Sequence, residues 1–353
     1  MIILYVLLAI VVLLLMIMIH ESGHYLAGKL LKFKIEEFSI GFGKPIFSRT
    51  MKSGEVFSLR WIPLGGYCAF KGEDDDEEEP DCFNSYPCWK RIIVLISGAL
   101  FNFVSGILFT LILLVSIGSG TAKITEIQAK NGNEQVLQVG DIILEVEGAE
   151  PTFLNGGIVN LMSEKDVGED IVLKIDRNGE IIDNVVVKKY QVYQEENGEI
   201  KKDLDGNPIV KQKIIGITSE YVPLSFIDAL VKCVPYTFNM AWECLCILGD
   251  LVTGSIGLDS VGGPITTVQT IAVSTQANFK NLILLFPLIA VNLAVFNLLP
   301  IPALDGARVL FVLIEWIFRK PVPRDIEAKI HNFGLMALFG FVIIIDILHL
   351  FLF

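Results

Sequence analysis

The chain has 353 residues, of which 52% are apolar and only 19% charged, with a mean hydropathy of +0.58. Too little polar surface follows from that balance for a wholly soluble enzyme, and far too much apolar content for a disordered chain. A net charge of −12 disfavours nucleic acid as the main partner, because phosphate binding needs clustered cations. The six cysteines, Cys68, Cys82, Cys88, Cys233, Cys244 and Cys246, form no C-x-x-C pair and read as reduced thiols.

The first segment, 1–27, opens with Met1 to Ile19, which holds no charged side chain. As a helix that run reaches ~28 Å, close to the hydrocarbon thickness of a bilayer. No basic region precedes it and no small-x-small cleavage site follows, so it reads as a span rather than a signal peptide. Residues 28–91 form a loop at the membrane surface. Val56 to Ile62 predicts a strand or hairpin, with Pro63-Leu64-Gly65-Gly66 as punctuation. Glu73 to Glu79 are consecutive acids and read as a solvated, flexible stretch. Residues 92–118 are uncharged and long enough for a second span with tilt.

From 119 to 219 the character changes. Short β-rich segments appear at Ala122–Ile127, Ile142–Val146, Ile171–Asp176, Ile181–Val187 and Lys213–Ile217. Turn signals such as Asn131-Gly132, Arg177-Asn178-Gly179 and Glu196-Asn197-Gly198 separate them, and one helix is expected near Gly156–Met162. This predicts a compact α+β domain. Its stretch Leu137 to Gly148, with Gly140-Asp141-Ile142-Ile143 at the centre, resembles part of a PDZ domain, a module that binds extended peptides at a sheet edge. Residues 220–280 are expected at the membrane surface, with Pro223 to Leu248 as an amphipathic helix and Val261-Gly262-Gly263-Pro264 as a break. Residues 281–306 hold a third span, 307–330 an amphipathic segment and 331–353 a fourth span. The fold class is therefore a multi-pass α-helical membrane protein of about four spans, with an inserted α+β domain. Lys29, Lys32, Lys34, Lys90 and Arg91 flank the first loop. Arg308, Arg319, Lys320, Arg324 and Lys329 lie between the third and fourth spans. Both loops are thus expected on the cytoplasmic side, with the α+β domain outside.

The strongest chemical signal is His20-Glu21-Ser22-Gly23-His24 at the end of the first apolar run. Positions i and i+4 share a helix face, so both imidazoles can reach one ion. Glu21 is rotated away by about 100° and can take a proton from the attacking water instead. Ionisable groups closing an apolar helix are costly, which favours a functional reading. A catalytic zinc would need one further protein ligand. Asp305 follows the third span where Pro300, Pro302 and Gly306 break the helix. Asp346 competes with it, unless it forms an interior polar pair with His349. Asp250, Asp259 and Glu315 lie in less constrained contexts.

With these residues in place, the chain resembles the site-2 protease family of intramembrane zinc metalloproteases, in particular the bacterial regulator-of-sigma-E type. The motif His20-Glu21-Ser22-Gly23-His24 closes the first span. Pro63-Leu64-Gly65-Gly66-Tyr67, Gly98 to Asn102 in the second span and Asn297 to Gly306 match the family's other motifs. The resemblance implies that His20, His24 and Asp305 bind Zn2+ and that Glu21 is the catalytic base. It implies that Asn297 places the substrate or steadies the transition state, and that Asn102 shapes the site. It also implies a bacterial inner-membrane location with the site toward the cytoplasm. The implied substrates are single-span membrane proteins already trimmed outside, such as anti-sigma factors, or remnant signal peptides. The strand near Val56–Ile62 or the turn-rich Gly41-Phe42-Gly43 either offers an edge to an unwound substrate stretch or only packs against the spans, and the two readings stand equal. The PDZ-like region departs from the pattern, being single and lacking an obvious peptide-binding loop. Two rivals remain. A prenyl-peptide-processing zinc protease would take its third ligand from a Glu and lack the insert. A membrane scaffold would recruit clients through the PDZ-like domain without catalysis.

Overall fold

The computed structural model describes residues 2–73, 79–128, 132–163, 165–193, 195–196, 199–200, 210–257 and 261–351. In chain order the helices are α1 (Ile2–Leu30), α2 (Cys88–Ser116), α3 (Asn133–Val136), α4 (Gly157–Leu161), α5 (Phe226–Thr253), α6 (Pro264–Ala277), α7 (Lys280–Leu298), α8 (Asp305–Phe318) and α9 (Arg324–Phe351). The strands are β1 (Ile35–Thr50), β2 (Val56–Phe70), β3 (Ala122–Ile127), β4 (Ile142–Val146), β5 (Asp170–Arg177), β6 (Glu180–Lys188), β7 (Tyr190–Tyr193), β8 (Glu195–Glu196), β9 (Glu199–Ile200), β10 (Val210–Ile214) and β11 (Ile217–Tyr221). Two compact units result: residues 1–110 with 232–353, and residues 111–231.

In the first unit, α1, α2, α7 and α9 are long and apolar enough to cross a membrane. Helix α1 is apolar all round until His20, so hydrophobicity alone does not orient it. Burial does. Ala9, Val12, Met16, His20, Gly23, His24 and Ala27 recur every three or four residues and face inward. Leu4, Leu7, Val11 and Leu15 point outward, as lipid on the outside requires. The inward stripe packs Ala9, Val12 and Met16 against Ile271 of α6 and against Leu282 and Ala290 of α7. Gly23 allows α1 to meet α2 closely, since a Cβ there would overlap the Ser97 carbonyl.

Strands β1 and β2 form an antiparallel hairpin, and both are bent. Glu37 to Ile40 stands opposite Val56–Leu59 and also opposite Gly66–Ala69. The sequence reading ended the strand at Ile62 and took Pro63–Gly66 as punctuation. The chain instead bends there, with Gly65 at φ +128°, and continues as strand to Phe70. Gly41 and Gly43, expected as a turn, likewise sit inside β1 at φ +84° and +87°. Glycine absorbs the bend, which is why turn-type residues here lie within strands. The hairpin turn is tied to the end of α1. Lys29 Nζ lies 2.7 Å from the buried Glu55 Oε1, Tyr25 donates to the same oxygen at 3.0 Å and Ser53 at 2.9 Å. Burial would raise the Glu55 carboxyl, but the Lys29 ammonium and these hydrogen bonds outweigh it and hold it at about 2.

Helix α5 runs over Phe226–Thr253 with Pro235 inside it, close to the expected Pro223–Leu248, and α6 begins directly after the Val261–Pro264 break. Asp346 and His349 both reach the break before α6. Asp346 accepts hydrogen bonds from the Ile265 and Thr266 N–H groups at 3.2 and 3.1 Å and from the Thr266 hydroxyl at 2.7 Å. His349 Nε2 lies 2.7 Å from the Val261 carbonyl. Together they hold the start of α6, where free N–H groups favour a carboxylate.

The second unit carries a five-stranded antiparallel sheet of order β11-β3-β4-β5-β6. Ile171, Leu173 and Ile175 of β5 are fully buried at period two and centre a core that includes Ile124, Ile143, Val146 and Val187. Buried Asn133 is fully bonded, donating to the Lys188 and Ile215 carbonyls at 2.9 Å each and accepting the Lys188 N–H at 3.0 Å. Arg177 grips Asp141 with two bonds, at 2.8 and 2.7 Å. The expected strand Lys213–Ile217 is broken: β10 ends at Ile214, Gly216 turns at φ +77°, and β11 begins at Ile217. The expected helix shortens to α4, and a second one-turn helix, α3, precedes it. Residues 74–78 of the acidic run, Asn131, and Asn197-Gly198 lie outside the described residues.

Candidate metal centre

His20 and His24 lie one turn apart on the inward face of α1. Asp305 opens α8, directly after the Leu299–Leu304 crossing from α7. Gly306 permits that approach, because a Cβ there would overlap the Leu298 and Leu299 carbonyls. Asp305 Oδ2 stands 3.0 Å from His20 Nε2 and 3.3 Å from His24 Nε2, and the two Nε2 atoms are 3.1 Å apart. Four-coordinate zinc with ligands at 2.0–2.1 Å needs neighbouring donors about 3.3–3.4 Å apart. The observed triangle is slightly smaller than that. These three residues are the one group of His, Cys, Asp and Glu able to hold an ion among the described residues.

The surroundings favour lone pairs at the centre of the triangle. His24 Nδ1 lies 2.8 Å from the Val94 carbonyl, which can only accept. A proton therefore stays on Nδ1, which leaves Nε2 as the nitrogen that faces Asp305 and can bind a metal. Asp305 Oδ2 is buried and accepts no well-aligned hydrogen bond. Two imidazole nitrogens and a carboxylate oxygen converging on one point suit a cation, which would replace any proton held between them. Gly98 of α2 closes one side. A Cβ there would overlap His24 Nε2 and come within 2.8 Å of His20 Nε2, so any side chain would crowd both ring nitrogens.

Glu21 points to a different side of α1. Its carboxylate accepts a hydrogen bond from the Cys68 backbone N–H, and Gly66 lies against its side chain. The far end of β2 thus runs over Glu21. Asn297, in the last turn of α7, places its amide nitrogen 3.4 Å from His20 Nδ1. A half-turn of the amide would set its oxygen there as an acceptor for Nδ1–H. Asn102 is completely buried on α2, and neither end of its amide has a hydrogen-bond partner.

Of the competing acids, Asp346 is engaged at the start of α6 and Glu315 pairs with the buried Arg91. Asp250 accepts no hydrogen bond through its side chain in any described interaction, and it does not join the histidine pair. Asp259 lies outside the described residues. Sequence reasoning gave no role to Val94, Cys68 or Gly98. The first two act through backbone atoms, which leave no trace in residue type. For Gly98, a small residue inside an uncharged span was the available signal of close helix approach.

The profile of peptidase family M50 matches residues 8–341 of the chain. A protein of Fusobacterium nucleatum, provisionally named a zinc metalloprotease, is 32% identical over 351 residues and is covered, like this chain, over 97% of its length. A similarly named protein of Helicobacter pylori strain J99 is 30% identical over 356 residues, again 97% of each chain. One of Campylobacter jejuni is 30% identical over 323 residues, covering 88% of this chain and 83% of its own.

Proposed function

Since the chain belongs to peptidase family M50, the site-2 protease family, and is a zinc metallopeptidase with membrane-spanning helices, we propose that it hydrolyses peptide bonds inside the transmembrane segments of other membrane proteins. The observation that carries this reading is the convergence of His20, His24 and Asp305 on one point beside Glu21.

His20 Nε2, His24 Nε2 and an Asp305 oxygen would hold the zinc. When bound, zinc supplies Lewis acidity toward the scissile carbonyl and the attacking water. Glu21 accepts the proton of that water and passes it to the leaving amine. The Asn297 amide stands next to His20 and can donate to the oxygen that gains charge at the scissile carbon. Asn102 shapes the pocket from α2. A helical substrate hides its peptide bonds in its own hydrogen bonds, so a stretch must be unwound. The outer edge of β2 near Gly66–Phe70 offers backbone groups to such a stretch next to Glu21, and the bent Gly41–Gly43 segment of β1 is the other available edge.

The five-stranded unit acts as a PDZ-like domain outside the membrane, screening or presenting clients, with the zinc site toward the cytoplasm of a bacterial cell. Lys29, Lys32 and Lys34 beside the first span, and Arg319, Lys320 and Arg324 before the last, support that orientation. The fitting substrates are single-span proteins already trimmed outside, such as anti-sigma factors, or remnant signal peptides. A third donor from Asp305 rather than from a Glu speaks against the prenyl-peptide-processing class.

The test uses the full chain in proteoliposomes with a single-span reporter. Glu21→Gln is expected to keep its zinc and lose cleavage by more than about 100-fold. His24→Ala is expected to lose both. Proteolysis surviving in Glu21→Gln would remove Glu21 as the base, and zinc retained in His24→Ala would remove the proposed ligand set.

A further inference from the structure

Asp305 sits at the end of a weakly tied piece of backbone. Between α7 and α8 the chain crosses through Leu299-Pro300-Ile301-Pro302-Ala303-Leu304. The two prolines have no N–H to give. Ala303 holds φ at +81°, a left-handed conformation that an L residue adopts only when something imposes it. Within the crossing, the Leu304 N–H reaches the Ile301 carbonyl at 3.1 Å. The Ala303 N–H leaves the crossing altogether and donates to His331 Nδ1 of α9 at 3.1 Å.

The same face of α9 seats the rest of the crossing. Gly334, three residues beyond His331, lies directly under Pro302, where any Cβ would overlap the proline ring. The His331 ring in turn packs on Phe311 of α8, with centroids 5.6 Å apart. A cavity of about 480 Å³ opens against the crossing, bordered by Ala303, Leu304, Asp305, His331, Asn332 and Leu335. A loop with open space on one side and a left-handed alanine needs a specific partner to stay in place.

We propose that His331 is a positioning residue for the metal centre. By accepting the Ala303 N–H it fixes the crossing that aims Asp305 at His20 and His24, and so links the placement of α9 to the affinity of the site for zinc. This rests on Asp305 being a zinc ligand, as argued above. The donor is an amide N–H, so Nδ1 must carry the lone pair. An Asn side chain can set its oxygen where Nδ1 stands. A Gln oxygen falls one bond further out, and a Phe ring keeps the shape without any acceptor.

The experiment measures zinc affinity of the purified full chain in detergent, by competition with a chelator, together with thermal unfolding of the metal-free protein. His331→Phe is expected to weaken zinc binding about 10–100-fold, the usual effect of losing a group that orients a ligand. His331→Asn is expected to stay within about threefold of the parent. The metal-free unfolding temperature should be the same in both. Parental zinc affinity in His331→Phe overturns the proposal, as does an equal loss in His331→Asn, which would indicate packing alone. If His331→Phe does not fold, His331→Gln replaces it: weak binding in Gln with near-parental binding in Asn supports the role, and equal affinities refute it. Asp305→Asn separates the two layers. Zinc retained there removes the ligand assignment itself, whereas zinc lost there but kept in His331→Phe removes only the positioning role.

Discussion

The two units treat buried polar groups in opposite ways. In the β unit the interior is Ile, Val and Leu, and the buried Asn133 and Asp141 are fully engaged. Asn133 makes three hydrogen bonds and Asp141 is gripped twice by Arg177. In the helical unit the interior stripe of α1 carries two imidazoles, Asp305 Oδ2 accepts no well-aligned bond, and the Asn102 amide is unpartnered at both ends. A buried polar atom left without a partner costs about 1–3 kcal/mol. Asn133 and Asp141 avoid that cost. The helical unit bears it at several atoms, among them Asp305 Oδ2, where a cation would remove it. Water outside a domain pushes apolar side chains inward, whereas lipid outside removes that drive. Hydrophobicity therefore marks the core of the β unit but only the lipid face of the helical one.

Three experiments can break or sharpen this contrast. The largest effect is expected from Gly98→Val, which puts a side chain against His24 Nε2 and His20 Nε2, the proposed zinc donors. Zinc affinity should fall by more than about 100-fold while the five-stranded unit keeps its amide protection. Parental zinc binding in this variant would mean the ion lies elsewhere. Next is Leu173→Ala in the β core, where the residue is fully buried. It should destabilise residues 111–231 by roughly 2–5 kcal/mol, read as faster amide exchange there. Zinc affinity should not change, and a loss there would show that the two units are not independent.

The smallest effect concerns Glu55. Its carboxyl is held at about 2 in the folded chain, against an ordinary 4.5. A lowered carboxyl stabilises fully above its unfolded value, so the anchoring of the hairpin turn is complete above pH 4.5. It is lost as pH falls from there toward 2. Amide exchange at Gly54, whose N–H bonds the Met51 carbonyl, should rise about tenfold across that window beyond its intrinsic pH dependence. In Glu55→Gln this step should vanish. The same step in both proteins would assign the transition to another group.

Several elements were readable before any fold was known. β3 and β4 run over the same residues as the segments identified from alternating apolar residues and turn signals. Four apolar runs correspond to α1, α2, α7 and α9. These depend on local rules, namely side-chain alternation, uninterrupted apolar length, and Gly or Asn at turns. The hairpin was only half visible. Pro63–Gly66 and Gly41–Gly43 carry turn chemistry, yet both are bends within strands, because whether a glycine ends a strand or curves it depends on what pairs beyond it. Residue pattern alone also left Asp305 and Asp346 as rivals, since both are acids in or beside apolar spans. Asp346 turned out to hold the first N–H groups of α6.

By itself the sequence determined that the chain enters a membrane, that a β-rich unit of about a hundred residues interrupts the spans, and that His20, Glu21 and His24 share one helix turn. Those facts are written in residue order, because helix pitch and strand alternation act over a few neighbours. Only the tertiary structure decided which carboxylate meets the histidines, that Gly98 leaves room between them, and that Val94 and His331 steady His24 and the approach to Asp305. Each of these joins residues dozens to hundreds of positions apart, and such distances are set by how helices pack, which no local pattern encodes.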